Sequence, residues 1–237
     1  MTASVMLKPG KERSLLRRHP WIYAGGIGRV QGHPDIGETV RVLAADGRFL
    51  AWGAFSPSSA IRVRLWSFDE AERIDEAWIA RRIAAAVARR AALAADTQAV
   101  RLVFGEADGL PGLVVDRYGE QLVLQLLAAG VEHWRDPIVA ALREATGLPD
   151  VYERSDAAAR EREGLTPREG VLAGRLPGDS LAITEHGVRY LVDVLQGHKT
   201  GFYIDQRDNR RDVARHAAGR SVLNCFCYTG GFTLAAL

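Results

Sequence analysis

The chain has 237 residues, 47% of them hydrophobic and 25% charged, and a formal net charge of +2. That balance excludes a disordered chain and leaves room for one large or two to three small domains. No apolar run approaches the roughly 20 residues a membrane-spanning helix needs, and residues 1–13 lack the apolar centre of a secretory signal, so a cytoplasmic protein without membrane contact is expected.

The charge is unevenly spread. Residues 1–66 carry ten Lys and Arg against four Asp and Glu, whereas residues 67–237 carry 21 against 25. Within the basic part, Lys8, Lys11, Arg13, Arg17 and Arg18 crowd beside His19 with only Glu12 opposing them. Such a cluster is how an RNA-phosphate surface begins; a solvated basic face is the plainer alternative.

From Trp21 to Trp66 the pattern is of short strands. Residues 37–42 alternate polar and apolar, Asp46-Gly47 makes a hairpin turn, and residues 49–54 return as the partner. Residues 61–66 alternate throughout, placing Arg62 and Arg64 on one face and Ile61, Val63 and Leu65 on the other. A small β-barrel or sandwich follows, with Trp21, Tyr23, Trp52, Phe55 and Trp66 as core fillers rather than base-stacking platforms.

A helix over 75–95 comes next, with Trp78, Ile79, Ile83, Ala86 and Val87 as its apolar stripe. The pairs Arg81-Arg82 and Arg89-Arg90 fall mostly off that stripe and read as a solvated face. Residues 100–172 then form an α+β pattern: strands at 100–104, 113–116, 121–127 and 151–153, and a helix over 131–146 closed by Gly147 with Pro149 beyond. The segment 105–112 holds three glycines, a proline, Glu106 and Asp108; it reads as a turn in preference to an acid/base pair.

The third segment opens with a hairpin over 183–192 turning at His186-Gly187. A polar, aromatic-bearing loop over 199–207, a basic helix over 208–218 and a strand over 221–224 follow. The strand runs into Asn224-Cys225-Phe226-Cys227-Tyr228-Thr229-Gly230-Gly231-Phe232 and the start of a helix. Strand, glycine turn and helix together suit a nucleotide ligand, because glycine lets it approach the backbone and a helix N-terminus offers free N–H groups. The three-glycine dinucleotide spacing is absent. Cys225 and Cys227 are spaced for neither a structural zinc site nor a mutual disulfide, and both are expected to be buried, reduced structural thiols with no metal.

Five stretches in chain order make a further identification. They are Gly10-Lys11-Glu12-Arg13-Ser14-Leu15-Leu16-Arg17-Arg18-His19-Pro20-Trp21, residues 105–112, Glu153-Arg154-Ser155-Asp156, Gly197-His198-Lys199-Thr200-Gly201-Phe202-Tyr203-Ile204-Asp205-Gln206-Arg207, and residues 224–232. In these the chain resembles the RlmI-type, PUA-domain-containing large-subunit rRNA 5-methylcytosine methyltransferases. The resemblance implies a multidomain fold: a PUA pseudobarrel over 1–70, a linker helix and central α+β domain over 71–178, and over 179–237 the start of a class I, Rossmann-like α/β methyltransferase domain. It also implies S-adenosyl-L-methionine as cofactor, held or shaped by Lys199, Thr200, Gly201, Tyr203, Gln206, Tyr228, Thr229, Gly230 and Gly231. Ribosomal RNA is the implied partner, at Lys8, Lys11, Arg13, Arg17, Arg18 and His19, with a homodimer as a family trait.

The chemistry implied is addition of a cysteine thiolate to cytosine C6, attack of C5 on the sulfonium methyl, and elimination with loss of the C5 proton. In the family the nucleophile lies downstream of the glycine loop, so no catalytic residue is assigned in this chain and the methyltransferase domain is expected to be incomplete. A noncatalytic RNA-binding protein is the alternative from another class. Lys199 reads equally as a salt-bridge partner, and Asp205 and Arg207 as residues that hold their loop.

Overall fold

The computed structural model describes residues 2–156 and 158–237; Met1 of the expected first domain and Ala157 of the second lie outside them. The first 67 residues build one six-stranded sheet from β1 (Ser4–Leu7), β2 (Trp21–Tyr23), β3 (Ile27–Gln31), β4 (Thr39–Leu43), β5 (Phe49–Phe55) and β6 (Ile61–Ser67), with a short helix α1 (Arg13–Leu16). The strand order is β2-β6-β5-β4-β1-β3, with β1 and β4 parallel and the other pairs antiparallel. The two edge strands, β2 and β3, are separated in sequence only by residues 24–26. The sheet therefore has to curl until its edges approach.

Alternation explains what lies inside. Val40, Val42, Val63 and Leu65 point inward with Val5, Leu7, Leu15, Ile22, Leu50 and Ala51 to form one buried cluster. Of the five expected aromatic core fillers, Phe55 and Trp66 are buried, Trp21 and Trp52 half-buried, and Tyr23 exposed. Trp66 leaves the sheet's own core for the next one.

The central part comprises α2 (Glu76–Arg89), β7 (Ala99–Phe104), β8 (Leu113–Tyr118), β9 (Gln121–Leu126), α3 (Ala129–His133), α4 (Arg135–Thr146), β10 (Asp150–Ser155), α5 (Ala158–Arg162) and β11 (Arg168–Ala173). The strands lie in the order β11-β10-β9-β8-β7, with β9 and β10 parallel. Asp75 caps α2 by accepting the Trp78 N–H at 2.9 Å, a contact that contributes about 1 kcal/mol. Trp78, Ile79, Ile83 and Ala86 then bury against Val100, Leu102, Val115, Leu122 and Leu124 on one face of the sheet, with Ile138 and Leu142 of α4 beside them. Ala54 and Trp66 of the first sheet join this same cluster, so the two parts share a core.

Three expectations need correction here. The single helix expected over 131–146 is two, because Pro137 lacks the N–H that would bond the His133 carbonyl, and its ring crowds that group. The helix expected to reach residue 95 ends at Arg89 and tightens into a 3₁₀ turn over Ala91–Ala95. Arg90 is drawn off the solvated face, only 18% exposed and paired with the buried Asp108, while Arg89 stays 54% exposed and reaches the same carboxylate. Strand β11 was not expected; its alternation is weak, and it rests as an edge strand on β10.

Segment 105–112 is structural, as the turn reading expects. Asp108 ties the end of β7 to α2, while Glu106 accepts from Trp21 Nε1 at 2.7 Å and Arg64 Nη1 at 3.2 Å across the boundary with the first sheet. Burial alone would raise the Asp108 carboxyl, but hydrogen bonds from Arg90, Arg89 and the Phe104 N–H outweigh it and hold the group below its ordinary value. Since the folded value lies below the unfolded one, this stabilisation is complete above an ordinary aspartate value of about 3.9 and is lost as pH falls through the lowered folded value. Thermal midpoints recorded between about pH 6 and pH 2 should therefore fall steeply only in the most acidic part of that range, and Asp108→Asn should flatten the fall.

The third segment holds β12 (Leu181–Glu185), β13 (Val188–Val192), α6 (Arg207–Ala217) and α7 (Gly231–Ala236). The hairpin turns on His186 (φ 49°) and Gly187 (φ 82°), both left-handed, as a tight two-residue turn requires. Ile183, Tyr190, Val192, Val194 and Phe202 pack on Ala99, Tyr118 and Val123, covering the sheet face opposite α2 and α4. The strand expected over 221–224 does not form: among the described residues these pair with no strand, and Leu223 is 88% exposed. A β-ladder needs a neighbour to take its N–H and C=O groups, and the two-stranded β12-β13 sheet does not extend to meet it.

Candidate functional site

A cavity of about 410 Å³ opens between the loop that precedes α6 and the glycine loop that precedes α7. Lys199, Tyr203 and Gln206 come to it from the first loop, and Tyr228, Thr229 and Gly231 from the second. These are six of the nine cofactor residues expected from sequence. The other three lie beside it. Thr200 is fully buried and faces the central sheet, Gly201 is a buried bend with φ 132°, and Gly230 takes the left-handed conformation (φ 74°) at the start of α7.

Backbone strain gathers here. Among the described residues five non-glycine positions have positive φ, and Lys199, Phe226 and Tyr228 surround this cavity. Each left-handed residue costs roughly 1–2 kcal/mol, a cost tolerated where neighbours over-determine the shape. Those neighbours are visible. The Tyr228 hydroxyl accepts the His198 N–H at 2.7 Å, the two rings stack with centroids 4.5 Å apart, and Tyr203 meets the Tyr228 ring edge-on at 5.5 Å.

The floor is an ion pair. Arg210 of α6 donates from Nε and Nη2 to Glu185 at 2.7 and 3.0 Å, both side chains being buried. Its Nη1 donates to the Tyr203 carbonyl at 2.9 Å, its guanidinium lies 4.4 Å from the Phe202 ring centre, and its Cδ would sit 3.3 Å from any Cβ placed on Gly231. The hairpin, both loops and both helices meet on this one side chain. Sequence reasoning missed it, although Arg210 lies seven residues before Ala217 on the face that α6 buries.

Charge at the rim is paired. Lys199 Nζ reaches Asp205 Oδ1 at 3.1 Å and lies 4.5 Å from the Tyr203 ring centre. Burial would raise the Asp205 carboxyl, but the bonds from Lys199 and Gln206 outweigh it and hold it below its ordinary value. The salt-bridge reading of Lys199 and its place on the cavity wall are thus compatible. Asp205 holds its loop through Lys199, whereas Arg207 pairs, among the described residues, with its neighbour Asp208. Cys225 and Cys227 are exposed, contrary to the buried thiols expected, because among the described residues no element covers the unpaired segment that carries them; Cys227 faces the cavity.

The basic cluster is a separate surface on the first sheet. Lys8, Lys11, Arg13, Arg17, Arg18 and His19 are all exposed. None of the five Lys and Arg side chains forms an ion pair among the described residues. Lys8 Nζ donates to the Gly25 carbonyl at 3.1 Å, the Arg18 guanidinium lies 4.7 Å from the Phe68 ring centre, and His19 stands edge-on to Trp21 at 5.7 Å.

Known families match these two regions. A PUA-like domain matches residues 5–68, and an S-adenosylmethionine-dependent methyltransferase domain matches residues 169–237. Proteins named ribosomal RNA large subunit methyltransferase I match along the whole length: those of Shewanella amazonensis and Shewanella denitrificans at 51% and 52% identity over 100% of this chain, and that of Klebsiella pneumoniae at 50% over 98%. The chain spans about 60% of the length of these relatives. Two solved structures share the fold over all of this chain and 60% of their own, each at 24% identity. One, with a TM-score of 0.80, is described as a SAM-dependent methyltransferase from Streptococcus mutans, and the other, at 0.82, as a methyltransferase complexed with SAH. The chain thus carries a match to a PUA-like domain and a match to an S-adenosylmethionine-dependent methyltransferase domain, and along its length it is similar to proteins named ribosomal RNA large subunit methyltransferase I.

Proposed function

We propose that this chain supplies the RNA-binding face and the methyl-donor site of an S-adenosylmethionine-dependent methyltransferase that acts on large-subunit rRNA, at C5 of a cytosine. The observation that carries the reading is the convergence of two loops, 198–206 and 226–232, on one cavity. Its volume lies within the roughly 300–1,000 Å³ typical of small-molecule sites. Its lining suits the cofactor: aromatic faces at Phe202, Tyr203 and Tyr228 for an adenine ring, acceptors at Asp205 and Gln206 for hydroxyl groups, and a glycine at 231 that lets a ligand approach the backbone.

When bound, S-adenosylmethionine supplies an electrophilic methyl group on a sulfonium. The residues here orient it and exclude water. Tyr228 and His198 close one wall by stacking, the Lys199–Asp205 pair fixes the rim, and Arg210 sets the floor. Neither exposed cysteine is assigned as the nucleophile. The curled sheet is read as the PUA pseudobarrel, and its unpaired cations as the surface that neutralises rRNA phosphates. A homodimer is part of the same family reading. A noncatalytic RNA-binding protein is the second reading, favoured by the exposure of all six basic-cluster residues.

Two assays on the same protein separate these readings. Photolabelling with S-adenosyl-[methyl-³H]methionine should mark peptides from 198–206 or 226–232. Filter binding of an rRNA fragment should weaken with salt, and the double variant Lys11→Glu, Arg17→Glu should lower the slope of log affinity against log salt by about 2. RNA binding without photolabel would favour the noncatalytic reading; label confined to other peptides would contradict the proposed donor site.

A further inference from the structure

The central sheet presents two different faces. Strand alternation sends Val100, Leu102, Val115, Leu122 and Leu124 toward α2 and α4, and Arg101, Asp116, Tyr118 and Arg154 toward the third segment. That second face carries polar residues at full burial: Asp116 is 0% exposed, Tyr118 1% and Arg154 5%. Such groups are costly unless each finds a partner; Arg101 meets Asp116, Asp156 and Glu169 meet Arg154, and the remaining partners lie in residues 194–202, the run that leads into the donor cavity.

The hydrogen bonds form a directed chain. Arg101 and Asp116 are cross-strand partners on β7 and β8, and Arg101 donates to both Asp116 oxygens at 2.8 and 2.9 Å. The Thr200 hydroxyl donates to Asp116 Oδ2. Its oxygen then accepts the Tyr118 hydroxyl at 2.8 Å, and the Tyr118 oxygen accepts the Phe202 N–H at 3.3 Å. Burial first, and the Asp116 charge second, push the Tyr118 phenol above its ordinary value, so it keeps the proton this order requires. Farther along, Arg154 on β10 donates from Nη1 to the Val194 and Gly197 carbonyls at 2.9 and 3.3 Å. The run between these anchors is tightly bent. Lys199 is left-handed at φ 58°, and a Cβ on Gly197 would fall 2.3 Å from the Asp193 carbonyl oxygen.

We propose that Asp116, Tyr118 and Arg154 of the central domain are positioning residues for the donor site, clamping residues 194–202 in the bend that delivers Lys199, Phe202 and Tyr203 to the cavity. This rests on the reading of that cavity as the methyl-donor site. It gives the central domain a part in cofactor binding through Thr200, which touches the clamp and does not line the cavity, and it assigns a task to the Glu153-Arg154-Ser155-Asp156 motif.

The test uses the whole chain and S-adenosylhomocysteine as probe. Thr200→Val keeps the shape and removes the hydroxyl, Thr200→Ser restores it, and Tyr118→Phe removes only the phenolic link. Calorimetry at a temperature where circular dichroism shows each variant folded should give a dissociation constant raised roughly 10- to 100-fold for Thr200→Val and Tyr118→Phe, and near the parent value for Thr200→Ser. A purely structural hydroxyl would lower the thermal midpoint and leave that constant unchanged, which would overturn the clamp while leaving the donor site standing. Should Thr200→Val fail to fold, the Tyr118→Phe result decides alone. If the parent chain itself gives no heat with the probe, the donor-site reading fails and the clamp with it.

Discussion

Glu185→Ala is expected to cost about 3–5 kcal/mol of stability, because it leaves the Arg210 guanidinium buried with no counter-charge. Arg210 and Glu185 side chains are only 3% and 1% exposed, so water does not replace the lost carboxylate. For a chain of this length the corresponding fall in thermal midpoint is on the order of 10 °C. The damage should concentrate at the cavity, since Arg210 also holds the Tyr203 carbonyl and packs behind Gly231. Replacing both partners, Glu185→Leu with Arg210→Met, should recover much of the midpoint, as removal of a whole buried pair often does. Differential scanning calorimetry of the three proteins checks this; a single variant as stable as the parent would show that the pair is solvated.

Gly130→Val should be nearly as damaging for a different reason. A Cβ at Gly130 would lie 2.4 Å from the Ala54 Cβ and 2.6 Å from Trp66 Cζ2, where α3 presses on the first sheet. The helix has no room to retreat. The Ala129 N–H bonds the buried Glu163 at 3.4 Å, and a Cβ on Gly37 would already fall 2.3 Å from the Ala129 carbonyl oxygen. Overpacking of this kind costs about 1–3 kcal/mol, and a backbone pinned on both sides puts this site at the upper end. The readout is separation of the two parts. Limited proteolysis should open cleavage between Ser67 and Glu76 in the variant while the parent resists, and equal resistance would mean that the shared core around Trp66 tolerates the side chain.

Much of this architecture is legible in the sequence because period and punctuation are local. The alternation of residues 61–66, the Asp46-Gly47 and His186-Gly187 turns and the apolar stripe of the helix that starts near residue 75 each report their own backbone. What escapes the sequence is decided by partners. Residues 221–224 have a strand's composition and no neighbour to pair with, and Cys225 and Cys227 have an apolar setting in sequence and no covering element in space. Arg89 and Arg90 read as a solvated face, Arg154 as a motif position and Arg210 as part of a basic helix, and none shows its partner until Asp108, the Val194 and Gly197 carbonyls and Glu185 are brought to them from distant parts of the chain. The cavity proposed as the donor site falls between these cases. Six of the residues expected to hold a cofactor line it; His198 and Phe202 stood in the same motif without an assigned task, and Arg210 carried no signal because its partner Glu185 lies 25 residues away.

Titration of the chain with S-adenosylhomocysteine in an isothermal calorimeter tests the central claim most directly. A saturable heat with one site per chain, abolished by a bulky residue at Gly231 where a ligand is proposed to approach the backbone, is the predicted result. No heat from a chain that circular dichroism shows to be folded, or heat that survives Gly231→Trp unchanged, would contradict the assignment of this cavity.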